Sequence, residues 1–159
     1  MKRNLMLCIA IATGVLALPA SAATPAPAAK PAVSQEVDAT YADIEKTLGS
    51  VPTFFRNVPQ AALPGAWKTM KELQFAPDTA LSPKEKELIG LAVAAQIPCQ
   101  YCIYFHTRSA RAAGASEEEI REAVAMSANT RFWSTILNGT EVDFDDFRKE
   151  FDAMGKKEQ

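Results

Sequence analysis

Ser82-Pro83-Lys84-Glu85-Lys86-Glu87-Leu88-Ile89-Gly90-Leu91-Ala92-Val93-Ala94-Ala95-Gln96-Ile97-Pro98 begins with the signals of a helix start and ends on a residue that cannot continue one. Ser82 can cap, Pro83 suits a first turn whose N–H groups have no partner, and Glu85 completes a capping box. From Leu88 to Ile97 the run is apolar on nearly every side, which predicts a central helix enclosed by others. Pro98 stops it.

The same punctuation recurs on both sides. Cys99 to Ala113 predicts a helix stopped by Gly114, and Ser116-Glu117-Glu118-Glu119 is a second capping box, opening a helix from about Glu117 toward Leu137. Ile120, Val124, Phe132 and Ile136 give that helix a core face, and Phe144 to Met154 can add a terminal helix. Upstream, Asp38 to Leu48 places Tyr41, Ile44 and Leu48 on one face, with Gly49 where a left-handed ending would want it. Val51-Pro52-Thr53-Phe54-Phe55 reads as a turn that carries aromatic side chains into a core. Ala61 to Phe75, with Leu63, Trp67, Met70 and Leu73, supplies another amphipathic helix whose start is marked by Pro64 and Gly65. No stretch alternates apolar and polar residues as a half-buried strand does, so the fold class is all-α, a compact multi-helix bundle.

The N-terminus has a different character. Met-Lys-Arg-Asn leads an apolar stretch from Leu5 to Leu18, then Pro19-Ala20-Ser21-Ala22-Ala23, with no acidic residue before Glu36. Residues 1–22 are expected to be a cleaved signal peptide, since the apolar stretch is shorter than the about 20 residues that span a bilayer. An uncleaved anchor is the alternative. Residues 23–35, rich in Ala and Pro, read as a linker, and 36–159 as one helical domain. Without Lys2 and Arg3 the 17 basic residues become 15 against 19 acidic ones, a formal charge of −4, which disfavours nucleic acid as a partner. The expected location is periplasmic or secreted, with no membrane association after cleavage, and there two cysteines can rest as a disulfide. Cys8 falls within the removed segment.

The chemistry concentrates in Cys99-Gln100-Tyr101-Cys102-Ile103-Tyr104-Phe105-His106. Cysteines two residues apart at a helix start can form a disulfide, and the helix amides favour a thiolate there. His106, one turn beyond Cys102, shares its face and can take the thiol proton. A c-type haem would need histidine where Ile103 stands. Zinc would need a fourth ligand beside Cys99, Cys102 and His106, for which a carboxylate such as Glu87 is the candidate. An inert structural disulfide is a further reading, weakened by the tiny loop it would close. By spacing alone Glu85 and Glu87 are equivalent acidic residues near a capped helix end. The aromatics Phe54, Phe55, Trp67, Tyr104, Phe105, Phe132 and Trp133 are read mainly as core, with Tyr104 and Phe105 bordering the site or a subunit contact.

Leu81 to Leu88, the apolar helix after it, Cys99-x-x-Cys102-x-x-x-His106 and Gly114 to Ile120 together resemble the carboxymuconolactone decarboxylase superfamily, and within it the alkylhydroperoxidase D-like branch. The resemblance spans Asp38 to Leu137. It implies a helical fold that forms homo-oligomers, with a cysteine-based antioxidant peroxidase and disulfide reductase activity and no cofactor beyond the redox-active pair. It also implies roles: Cys102 attacks the hydroperoxide and becomes a sulfenic acid, Cys99 resolves it, and Glu87 acts with His106 to deprotonate the thiol. Two features depart from the best-known members. Tyr101 stands where they carry a histidine, which removes part of their proton relay. Their cytosolic lipoyl-bearing electron donor is out of reach of an exported chain, so a thioredoxin-like protein or small thiol is expected instead. The alternatives are a thiol-disulfide exchange factor without peroxidase activity, the ring-lactone lyase chemistry of the superfamily, which needs no paired cysteines, and a binding module with a locked disulfide.

Overall fold

In a computed structural model of the chain, residues 32–155 are described, and they contain six α-helices and no strand. The expected signal segment, Cys8 and the linker up to residue 31 lie outside them. Helix α1 spans Ala32–Leu48, reaching into the stretch expected to be linker, because Ala32-Val33-Ser34-Gln35 follows the last proline and is free to be helical. A 3₁₀ turn at Thr53–Asn57 leads to α2, Leu63–Thr69, which continues into a π turn at Met70–Gln74. Then come α3 (Pro83–Gln96), α4 (Gln100–Ala112), α5 (Glu117–Gly139) and α6 (Phe144–Gly155).

The helix starts follow their sequence signals. Ser82 and Glu85 close a capping box on α3, and Ser116 and Glu119 close another on α5. Gly49 and Gly114 both adopt positive φ, 79° and 85°, the left-handed backbone that ends a helix most cheaply without a Cβ.

Two clusters form the core. Val37 and Ile44 of α1 close on Phe55, Leu63 and Trp67, and Asp43 at this junction accepts hydrogen bonds from the Trp67 indole at 2.7 Å and the Lys71 ammonium at 2.8 Å. Lys71 first, then Trp67, hold the Asp43 carboxyl below its ordinary value. The second cluster joins Leu91, Ala110 and Ile120, where α3 packs against both α4 and α5. Lys84 pairs with Glu119 at 2.7 Å at one end of the α3–α5 contact, and Gln96 reaches the Ser127 carbonyl at 2.7 Å at the other.

The burial pattern corrects several expectations. Helix α3 is central but not enclosed: Ile89, Val93 and Ile97 are more than half exposed, because α4 and α5 cover only part of its surface. On α5, Ile120 is buried while Val124, Phe132 and Ile136 are exposed, since only its first half meets α3's core. Of the seven aromatics read as core, Phe55 and Trp67 are buried and Phe54, Tyr104, Phe105, Phe132 and Trp133 are exposed. Leu73, expected on the core face, is exposed, because the helical period returns to the face of Trp67 at Gln74 and leaves Leu73 about a third of a turn off it.

Candidate active site

Cys99 is the N-cap residue of α4, with extended backbone, and its Sγ accepts the Cys102 amide at 3.2 Å. An N-cap normally offers an oxygen to the orphan amides of the first turn. Here a sulfur takes that place. Cys99 and Cys102 are joined as a disulfide, with Cα atoms 5.3 Å apart. Both are partly exposed, and Tyr101 between them stands 79% exposed to solvent.

Along α4 the stripe Cys102, His106, Ser109, Ala113 advances by steps of four, three and four, so these residues share one face. That face lies on α3. His106 meets Glu87 there, Nδ1 to Oε2 at 2.7 Å, with the two side chains only 19% and 7% exposed. A carboxylate only accepts, so Nδ1 is the donor in this contact and Nε2 is the ring nitrogen left to exchange a proton elsewhere. The structure thus separates two glutamates that spacing could not. Glu85 belongs to the helix cap, where the Ser82 side chain and then the Ser82 amide hold its carboxyl below the ordinary value, and Glu87 meets the histidine.

Two residues that sequence reasoning did not single out complete the arrangement. Gly90, one turn after Glu87, lies under the imidazole: a Cβ there would sit 2.5 Å from Nδ1, 2.8 Å from Nε2 and closer still to Cε1. An isolated glycine inside an apolar helical run was the available signal, because it marks a close approach. Gln74, from the π turn, donates through Nε2 to the other Glu87 oxygen, Oε1, at 3.3 Å. Glu87 and Gln74 also line a pocket of about 340 Å3, whose remaining walls are Phe75, Pro83, Ser109, Ala112 and Ala113.

Chemically, the bridge can accept two electrons and two protons to become a dithiol, and the partly buried histidine and buried carboxylate form an acid–base pair on the same seam. Among the described residues, no group of three or more His, Cys, Asp or Glu side chains is arranged to hold a metal ion.

An all-α scaffold with a Cys-x-x-Cys pair, a histidine four residues on and a glutamate from the preceding helix defines a class of protein, and the chain's sequence matches the model of the carboxymuconolactone decarboxylase family over residues 61–142. The chain belongs to that family. Its structure is similar to that of the alkylhydroperoxidase AhpD core from Rhodospirillum rubrum, with a TM-score of 0.60 and 28% identity over 79% of this chain and 96% of that one. It is also similar to the uncharacterized protein 4 in cox locus of Paracoccus denitrificans, 38% identical over 71 residues. That match spans 45% of this chain and 63% of that relative.

Proposed function

We propose that the protein is an exported thiol-dependent peroxidase that reduces organic hydroperoxides with the Cys99–Cys102 pair. The observation that carries this reading is the buried Glu87–His106 contact, one helical turn from Cys102 on the face that α4 turns to α3. A largely enclosed acid–base pair beside a disulfide has no purely structural use that an apolar pair would not serve as well.

In the reduced state His106 Nε2 takes the Cys102 proton, and Glu87 stabilises the imidazolium. The Cys102 thiolate attacks the terminal peroxide oxygen; the O–O bond breaks, the alkoxide leaves and takes the proton from His106 as an alcohol, and Cys102 becomes a sulfenic acid. Cys99, as a thiolate favoured by the Cys102 amide, attacks that sulfur and expels hydroxide, which leaves as water once protonated, and the disulfide re-forms. Two electrons and two protons from an external dithiol, a thioredoxin-like protein or a small thiol, restore the pair.

Thiol-disulfide exchange with a protein substrate is the competing reading, favoured by the same Cys99 cap, which makes that sulfur a good attacking thiol. A lyase would use Glu87 and His106 without the cysteines. The test follows free thiols after mild reduction while cumene hydroperoxide is added. A peroxidase oxidises rapidly to an internal disulfide, loses the reaction in Cys102→Ser and slows in His106→Ala. Oxidation no faster than that of a small free thiol sinks the peroxidase reading and leaves exchange, and activity on a lactone that survives Cys102→Ser would point to the lyase.

The reading includes self-association. Phe144, Phe151 and Met154 on α6 and Ile89, Val93 and Ile97 on α3 are exposed at a density that single chains do not usually leave open, and further copies of the chain would cover them.

A further inference from the structure

Glu87 has two oxygens and two partners: His106 at Oε2 and Gln74 at Oε1. The segment that delivers Gln74 is fixed on both sides. Before it, the π turn Met70–Gln74 continues α2, whose Trp67 is buried in the first core cluster and bonded to Asp43. After it, the Phe75 ring packs edge-on against Trp67 with centroids 6.3 Å apart, and Lys86, the residue before Glu87, donates to the Ala76 carbonyl at 2.6 Å. Gln74 stands seven residues after Trp67, on the helix face that buries Trp67, while Leu73 beside it is exposed. Packing alone gives no reason to place an amide rather than a leucine on that face. A buried carboxyl group does, because its oxygens need hydrogen-bond partners and a donor on one of them fixes the orientation of both.

We propose that Gln74 is a positioning residue for the acid–base pair: its side-chain amide holds the Glu87 carboxyl group turned toward His106, so that the imidazole proton stays on Nδ1 and Nε2 stays free. This rests on the redox reading of the site for its purpose, but the geometric claim can be tested without peroxide. His106 is the only histidine in the chain, so its ring nitrogens give one unambiguous pair of NMR signals.

The experiment compares wild type with Gln74→Met, which keeps the shape and removes the donor, and Gln74→Glu, which sets a second acid against Glu87. Each is reduced, its His106 ring is read by ¹⁵N NMR, and its thiols are alkylated with iodoacetamide across pH in a Cys99→Ser background that isolates Cys102. In both variants we expect the Nδ1–H signal to exchange faster with water and the ring to become a tautomer mixture. We expect alkylation at about pH 7 to fall about tenfold, while the limiting rate at high pH is unchanged. Because Gln74→Glu also adds repulsion, its effect is the larger. If folded Gln74→Met keeps a single Nδ1–H tautomer and wild-type alkylation at neutral pH, the proposal is wrong; if that variant does not fold, wild-type behaviour of Gln74→Glu overturns it equally. Failure of wild type to consume hydroperoxide, with the His106 signals still responding to Gln74, would remove the peroxidase reading and leave the positioning role standing.

Discussion

Replacing Gly90 by alanine adds one methyl group, and the structure says where it lands. The new carbon lies 2.5–2.8 Å from the imidazole nitrogens, whereas ordinary contact begins near 3.4 Å, so the ring must retreat by about 0.6–0.9 Å. A 2.7 Å hydrogen bond stretched by that amount approaches about 3.6 Å and ceases to be one. Losing a hydrogen bond to a charged, buried group costs about 1.5–3 kcal/mol. Against this, alanine is better than glycine inside a helix by about 0.8–1 kcal/mol, so the fold loses only about 0.5–2 kcal/mol. The thiol has no such compensation. If the pair supports the Cys102 thiolate as proposed, withdrawing the same 1.5–3 kcal/mol corresponds to a fall of about tenfold to a hundredfold in alkylation rate near neutral pH. The assay pairs chemical unfolding with iodoacetamide kinetics on the reduced protein, in wild type, Gly90→Ala, His106→Ala and the double variant. On the His106→Ala background the ring is gone, so Gly90→Ala should reverse sign and stabilise by about 0.8–1 kcal/mol. If Gly90→Ala stabilises the protein that still carries His106 and leaves thiol reactivity intact, the imidazole does not rest on that backbone and the geometry assigned to the site is wrong.

Three further outcomes concern other parts of the molecule. Ser116→Ala removes the α5 cap and should cost about 1 kcal/mol in urea unfolding while leaving Cys102 alkylation unchanged, since the cap is remote from the thiols. Asp43 and Glu119 are held below their ordinary carboxyl values, chiefly by Lys71 and by Lys84; their stabilisation is therefore present above the unfolded values near 3.8 and 4.5 and is lost as pH falls through the lower folded ones. Acid unfolding should steepen in that window, less so in Asp43→Asn, and a stability independent of pH there would contradict the ion pairs. Phe144→Glu with Phe151→Glu should lower the mass seen by sedimentation without altering helix content; an unchanged mass would show that α6 is not part of an assembly contact.

The helix boundaries were legible because they are written in short-range chemistry: Ser82 with Glu85, Ser116 with Glu119, Pro98, Gly49 and Gly114 each act on backbone groups within a turn of themselves. The placement of Cys102 and His106 on one face was legible for the same reason. Features that the sequence did not disclose depend on contacts between helices. The run from Leu88 to Ile97 is apolar all round and so carries no mark of which side meets α4; that Gly90 and Glu87, rather than Ile89 or Glu85, face His106 is decided by the crossing of α3 and α4. Gln74 was passed over because the reading of that helix followed its apolar residues, Leu63, Trp67, Met70 and Leu73, and a polar residue on the same face carries no hydrophobic mark. The exposed faces of α3, α5 and α6 could not be told from buried ones, because apolar spacing is the same whether the neighbour is another helix or another molecule.

A helix start usually rests on a side-chain oxygen, but that of α4 rests on a sulfur of the disulfide. The Cys102 amide points at Cys99 Sγ, and a thiolate accepts a hydrogen bond more strongly than a disulfide sulfur does. That amide proton is therefore a gauge wired to the electron count of the pair. Its resonance should move downfield when the bridge is reduced and return when it re-forms, so the state of the pair can be followed in a single peak.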